Sequence, residues 1–512
     1  MSPRRIDSAE NAARPAENPT ASTPATEPVA GEVILIVQTV MTALILAFMF
    51  RAYFIEAFVI PTGSMAPTLL GRHGVQICPQ CGWEFDYAPA NRGTGGDAAF
   101  VPPAELHCPN CHSPIRTKDN ALAYSGDRVL VHKWLYDLAS LFAPRRWDVI
   151  VFHNPADPTE NYIKRVVALP GESIEIIDGD VYISDAKSDR FRITRKPASV
   201  QSALWSLVYD QGHPPAGETR APVWREQREN QLPAWSGLKS RVLRCQTGDE
   251  REHVLTLDSD ESRFYLYDIY GYNAGGGPLT PVGDVRLRAN VRFQAPTGEL
   301  RWEIVRGADT FSLTLDSSGV ASVSGPGFGS GPIEVARLAR GAPLPIEFGH
   351  LDYRVYLKIN GRAVFETTDA QYAPPIDELR RTTRTAPPHI RLVGLKTDVE
   401  LRRLRIDRDV YYTSSPVSVR RAFAGSPFEL LDDEFFVLGD NSPNSHDSRE
   451  WQSRELSPRL REAYEAGEYR VGTVRRSEIV GRAFLVYLPS LRPVDARGRW
   501  RMPDIGRIRF IR

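Results

Sequence analysis

YIKRVVALPGE, residues 162–172, is a short run rich in Val and Ile that Pro170 and Gly171 bring to a stop, and it reads as a β-strand. The same pattern recurs on either side. RVLVH (Arg128 to His132), DVIVF (Asp148 to Phe152) and SIEII (Ser173 to Ile177) are equally short, and Gly, Pro or Asn closes each. FFVLG (Phe435 to Gly439) and RAFLVYL (Arg482 to Leu488) repeat the pattern far downstream. Such runs predict a compact, barrel-like β domain whose first part covers 52–184 and whose second covers 409–495. Forty prolines against five methionines likewise favour strand edges and turns over a helical bundle. The expected fold class is mainly β.

Between these two parts the pattern changes to strict alternation: Val285, Leu287, Ala289, Val291 and Phe293; Leu300, Trp302 and Ile304; Phe311, Leu313 and Leu315. Tyr353 to Ile359 follows, and Asn360 and Gly361 form a hairpin signal into Ala363 to Glu366, because a type I′ turn needs positive φ at both central positions. Ile390 to Leu395 and Val399 to Ile406 complete the set. These strands predict an inserted antiparallel sandwich over 255–408, loosely similar to the concanavalin-like jelly rolls of lectins and glycan-active proteins. The polar, Pro-rich stretch 185–254, with Trp205, Trp224 and Trp235, is expected to connect, and 496–512 to form a C-terminal tail.

At 512 residues the chain should hold roughly three units. Lys plus Arg equals Asp plus Glu at 63 each, so no bulk charge points to nucleic acid, and none is expected as a partner. Val33 to Phe50 contains no charged residue, and a transmembrane anchor is expected over 32–51. The residues before it, 1–31, have almost no large apolar side chains and are expected to be a disordered tail. Cys78 and Cys81, then Cys108 and Cys111, form two C-x-x-C pairs that can offer four thiolates to Zn²⁺, which predicts a zinc ribbon inserted over 75–118. Disulfides are the competing reading in an oxidising compartment. Cys245 stands alone as a buried apolar residue.

Three distant blocks hold the unusual polar residues: PTGSMAPTL (Pro61 to Leu69), NYIKRVVALPGE (Asn161 to Glu172) and GDNSPNSHDSR (Gly439 to Arg449). A serine hydroxyl needs a base before it can attack a carbonyl. His446 is one candidate, but nothing at a second position fixes its ring. Lys164 is the other, since its apolar neighbours would lower its pKa from about 10.4 towards neutrality. On composition alone, a turn serine and a solvent-reaching strand lysine remain the plainer readings of Ser64 and Lys164.

The ordered blocks resemble the type I signal peptidases. SMAPTL matches their serine box, GDRVLV (Gly126 to Val131) their glycine-aspartate strand, YIKRVVALPGE their lysine box and GDNSPNSHDSR their last box, all behind one N-terminal span. The last block departs from the usual form at Ser442 and Pro443. The resemblance implies Ser64 as nucleophile, Lys164 as general base, Thr62 as an oxyanion-hole hydroxyl and Ser445 as the serine that orients the lysine amine. It implies structural ion pairs for Arg165, Asp440, Asp447 and Arg449. Shallow pockets for small substrate side chains would be lined by Ile60, Pro61, Met65, Tyr162 and Ile163. No cofactor is implied for catalysis, and zinc would be structural.

The implied substrates are signal peptides of secretory precursors, cut after small residues. The implied location is the plasma membrane, with one span, a cytoplasmic N-terminus and an extracytoplasmic catalytic domain. Glycan or a protein partner is the ligand class left open for the sandwich. Two alternatives stand beside this reading: a membrane-anchored binding protein with an inactive peptidase-like domain, and a self-cleaving Ser/Lys peptidase.

Overall fold

Strand-forming sequence dominates the computed structural model, which describes residues 29–90, 100–117, 122–133, 143–185, 188, 190–216, 222–227, 232–257, 266–273, 280–335, 342–382, 384, 386–413, 415, 419–494 and 500–512. The tail expected over 1–31 lies outside these residues except for its last three, which begin helix α1, Val29–Tyr53.

The first of two compact units, Met1–Phe54, contains α1. Its side chains are described from Val33 to Met49, and apolar groups are exposed all around it, Leu35 at 64% and Phe48 at 63%. Thr39 donates its hydroxyl to the Leu35 carbonyl one turn back, at 2.8 Å, which ties that polar group to the helix itself. Among the described residues, no helix is long and apolar enough to cross a membrane.

The second unit, Ile55–Arg512, holds everything else. Its strands include β1 (Ile55–Val59), β2 (Gly74–Ile77), β3 (Glu84–Tyr87), β4 (Glu105–His107), β5 (Pro114–Arg116), β6 (Arg128–His132), β7 (Val149–His153), β8 (Asn161–Ala168), β9 (Glu172–Ile177) and β10 (Asp180–Asp185). One antiparallel sheet runs β1, β6, Ile479–Leu488, β7, β8, Glu434–Leu438, Val474–Arg475. The strand read from YIKRVVA is therefore central, and its burial on both faces explains why its apolar residues run on instead of alternating. A smaller sheet joins Arg192–Ile193, β10, β9 and Phe428–Glu429.

Asp127, fully buried, ties the segment around Ser64 to this sheet. Its carboxylate accepts from the Leu70 N–H at 3.0 Å and the Ser490 N–H at 3.2 Å, and its carbonyl from the Ile60 N–H at 2.9 Å. A side chain at Gly126 has no room, because its Cβ would lie 1.8 Å from the Ile60 carbonyl oxygen.

Two further antiparallel sheets of eight strands face one core that includes Trp224, Trp302, Phe311, Phe348 and Leu392. Val285–Phe293 alternates buried and partly buried residues along its whole length, as a half-buried strand must. Asn360 and Gly361 both take positive φ, at 50° and 77°, and turn Arg354–Ile359 into Arg362–Glu366. The stretch 185–254 departs from its expected role as connector. Ser206–Asp210, Trp224–Glu226, Trp235–Ser236 and Val242–Gln246 are strands of these two sheets, and Trp224 and Trp235 are buried in their core. The expected tail also packs, since Arg509–Phe510 pairs with Ile479–Leu488 and Ile511 is buried beside Val129 and Val131.

The first two sheets and the sandwich meet through buried charge. Lys196 lies 2.9 Å from both Asp352, on the turn before Arg354–Ile359, and Asp409, at the end of the long Asp398–Arg408 strand.

Candidate active site

Strand β8 carries Lys164 opposite Ile150 of β7, and the turn between β1 and β2 carries Ser64. The Lys164 Nζ lies 2.8 Å from the Ser64 Oγ. The lysine is only 4% exposed, and its amine sits 5.5 Å from the centre of the Tyr162 ring. Burial pushes the Lys164 pKa down to about 8, against the pull of the Asp447 and Asp440 charges. A neutral amine in contact with a hydroxyl is thus accessible near physiological pH.

The last block closes over this pair. Arg165, next to Lys164, forms a two-pronged pair with Asp440 at 2.7 Å on each bond, both side chains fully buried. It also donates to the carbonyls of Trp147 and Arg512, at 2.8 and 3.0 Å. Arg449 grips Asp447 in the same way, at 2.8 and 2.7 Å, and donates to the Ser442 hydroxyl at 2.9 Å. Burial alone would raise the Asp447 carboxyl, but the Arg449 guanidinium and the Gly439 N–H hold it below its usual range. Asp447 therefore stays charged without forming an ion pair to Lys164.

A cleft of about 670 Å³ opens on the pair, lined among others by Pro61, Thr62, Ser64, Tyr162, Ile163, Lys164 and Ser445. Ile60 and Met65 do not line it, contrary to expectation. They are 3% and 0% exposed and pack with Leu69, Val129 and Val151, because the serine turn needs apolar anchors in the core to hold its place. Ser445 lines the cleft, yet its buried Oγ has no hydrogen-bond partner among the described residues. The hydroxyl lies beside Gly439, 2.1 Å from where a Cβ there would stand, and the lysine amine makes its hydrogen bond to Ser64. His446 also lines the cleft, but its ring nitrogens face Glu450 and Glu455, each at 3.4 Å. Hydrogen bonding to Glu450 raises its pKa above the ordinary value.

Reading the sequence by residue type missed Asn441. Its N–H donates to the Ser64 carbonyl at 3.0 Å and its side chain to the Gly63 carbonyl at 2.9 Å. Its position directly after Gly439 and Asp440, in the block already singled out, was the available signal.

The four cysteines come together on two hairpins, β2–β3 and β4–β5. Each knuckle has the same geometry. The first cysteine's carbonyl accepts an N–H four residues on, from Gly82 or His112, and both of those residues take positive φ, 71° and 54°. Cys78 and Cys111 sulfurs are 3.6 Å apart, as are those of Cys81 and Cys108, and all four lie within 4.8 Å of one another. None is in a disulfide.

The family model for signal peptidase, peptidase S26, matches residues 114–236 and 356–488, half of the chain. The match contains Lys164 and Ser445 but begins after Ser64. Signal peptidase I of Rickettsia bellii is 26% identical over 153 residues, 28% of this chain and 38% of the relative. That of Rickettsia typhi is 28% identical over 148 residues, 29% and 42% of the two chains. The chain thus spans about two fifths of the length of these curated relatives. A carbohydrate binding module from Bacillus subtilis covers 36% of this chain and 95% of its own at 8% identity and a TM-score of 0.23, too low to bear on the fold. With half of its residues matched, among them the lysine strand and the block that closes over it, the chain belongs to the signal peptidase family, peptidase S26.

Proposed function

We propose that this protein is a membrane-anchored signal peptidase that cuts secretory precursors with Ser64 as nucleophile and Lys164 as general base. The observation that carries the reading is the 2.8 Å contact between a buried amine, its pKa lowered to about 8, and the serine hydroxyl. The neutral amine takes the Ser64 proton as the oxygen attacks the scissile carbonyl, and the ammonium so formed gives that proton to the leaving amine. A water, deprotonated by the same lysine, then releases the acyl group. The Thr62 hydroxyl and the Ser64 N–H would donate to the oxyanion, and such a donor is typically worth about 3 kcal/mol. Pro61, Tyr162 and Ile163 give the cleft an apolar part of its lining, suited to small side chains before the cut.

Zn²⁺ held by Cys78, Cys81, Cys108 and Cys111 is the structural part of the proposal. Zn–S bonds of about 2.3 Å place tetrahedral sulfurs about 3.8 Å apart, near the 3.6 Å seen, whereas a disulfide needs about 2.05 Å. Four thiolates leave no open coordination position, so the metal would brace the ribbon and take no part in the cut. Membrane anchoring rests on the sequence: Val33 to Phe50 carries no charged residue, and the side chains described from Val33 to Met49, by themselves too short a stretch of α1 to cross a bilayer, are all exposed. The proposed topology, weakly favoured by Arg4, Arg5 and Arg14 before the span, puts the N-terminus in the cytoplasm and Ser64 outside it.

The test is incubation of the full chain in detergent with a precursor whose signal ends in Ala-x-Ala, alongside Ser64→Ala and Lys164→Ala. Cleavage lost in both variants supports the dyad. Cleavage surviving both rejects it, and no cleavage by the parent chain would favour an anchored binding protein.

A further inference from the structure

Asn441, the residue that holds the Ser64 turn, is itself held by a residue from far outside the lysine and serine blocks. Asn273 closes the short turn Gly271–Asn273, which lies in sequence between the sandwich strands His253–Leu257 and Val285–Phe293. The two amides pair reciprocally: Asn273 Nδ2 donates to Asn441 Oδ1 at 2.7 Å, and Asn441 Nδ2 donates to Asn273 Oδ1 at 2.9 Å. The second hydrogen of Asn441 Nδ2 is the one that goes to the Gly63 carbonyl at 2.9 Å. With Asn441 fully buried, its amide orientation is fixed by Asn273, and that orientation aims its donor at the residue before the nucleophile.

The neighbouring Tyr272 fits against the same turn. A Cβ on Gly63 would stand 2.2 Å from its ring, and the ring packs with Ala66, Leu70 and Tyr270. The Tyr272 carbonyl accepts from the Ala88 N–H at 2.7 Å, and Ala88 and Pro89, just after β3, line the cleft. The segment Tyr270–Asn273 is thus wedged between the cysteine hairpins and the serine turn.

We infer that Asn273 is a positioning residue for the nucleophile, through which the sandwich region sets the distance between Ser64 and Lys164. The inference rests on the Ser/Lys reading above. Removing its amide leaves Asn441 free to rotate, the bond to Gly63 is lost, and the Ser64 Oγ drifts from its 2.8 Å contact. Misplacement of about 1 Å at a reacting atom costs about 10²-fold. Asn273 is not among the residues lining the cleft and reaches that lining through Asn441 and a long 3.4 Å contact from the Asn444 amide, so KM should change little and the lysine's titration should stay as it is.

The test uses the full chain and a precursor ending in Ala-x-Ala, with Asn273→Ala, Asn441→Ala, the double variant, Ser64→Ala and Lys164→Ala. Expected for Asn273→Ala is kcat lowered between 10- and 100-fold, KM within threefold of the parent, and an unchanged pH inflection. The double variant should be no slower than Asn441→Ala alone, because both act through one contact. Unchanged kcat in Asn273→Ala, or a rise confined to KM, would overturn the inference. So would losses that multiply in the double variant, or a fall in Tm with kcat intact. Activity retained by Ser64→Ala and Lys164→Ala would instead reject the dyad, an outcome distinct from all of these.

Discussion

A single methyl group added at Gly439 tests how closely the last block fits the nucleophile. The glycine is not at positive φ, so alanine can adopt its backbone and any effect is steric. The new Cβ would stand 2.1 Å from the Ser445 Oγ and 2.5 Å from the Ser64 carbonyl oxygen. The Ser445 hydroxyl can rotate away, but its Cβ, 2.6 Å from the new methyl, cannot, and the Ser64 carbonyl is backbone pinned by the Asn441 N–H at 3.0 Å. Reaching an ordinary contact of 3.4 Å therefore moves the Ser64 backbone by about 0.9 Å. A displacement of that size lengthens the Ser64–Lys164 contact and should lower kcat about 10²-fold, or about 2.7 kcal/mol of barrier. The assay is initial-rate cleavage of an Ala-x-Ala precursor by Gly439→Ala, with thermal unfolding recorded in parallel. A folded variant with kcat within twofold of the parent would refute the claim that this block sets the nucleophile's position.

Three other perturbations have defined outcomes. Asp440→Leu leaves the Arg165 guanidinium buried without its carboxylate and should cost about 3–5 kcal/mol in urea unfolding; a loss below about 1 would show that the pair does not lock the lysine strand. Lys196→Met removes the cation between Asp352 and Asp409, near Asp180, whose pKa burial already raises. A carboxyl raised in the folded state binds more protons there than when unfolded, so this variant should lose stability as pH rises from 5 to 8, and a flat profile would contradict the reading. Metal analysis of protein purified without added zinc should find one zinc per chain, absent from Cys78→Ser; metal-free parent protein with intact folding would remove zinc from the account.

The strands were legible wherever burial fell on one face or on both. Val285–Phe293 is legible from its alternation, and β8, which runs apolar between β7 and Glu434–Leu438, from its Val and Ile content and the breakers that close it. Ser206–Asp210 and Trp224–Glu226 were missed because polar and proline-rich neighbours hide strands too short to show a period. In the site, Ser64 and Lys164 stand out through the ordered blocks that resemble the signal peptidases; by residue type alone they read as a turn serine and a strand lysine. Ile60 and Met65 looked like pocket residues from their nearness to Ser64, but adjacency in a turn does not say which side chain faces the core. Asn273 had no local signal at all, since its meaning lies in a contact with Asn441, 168 positions away.

The most direct test of the central claim is the pH dependence of kcat/KM for an Ala-x-Ala precursor between pH 6 and 10. That quantity reports the free enzyme's essential base. Lys164 must be neutral to act, and its pKa is lowered to about 8, so the rate should climb tenfold per unit below about 8 and level off above it. At pH 7 it should stand at about a tenth of its plateau. An inflection near 6.5 with the plateau reached by about pH 7.5, the signature of an imidazole base, would contradict the account.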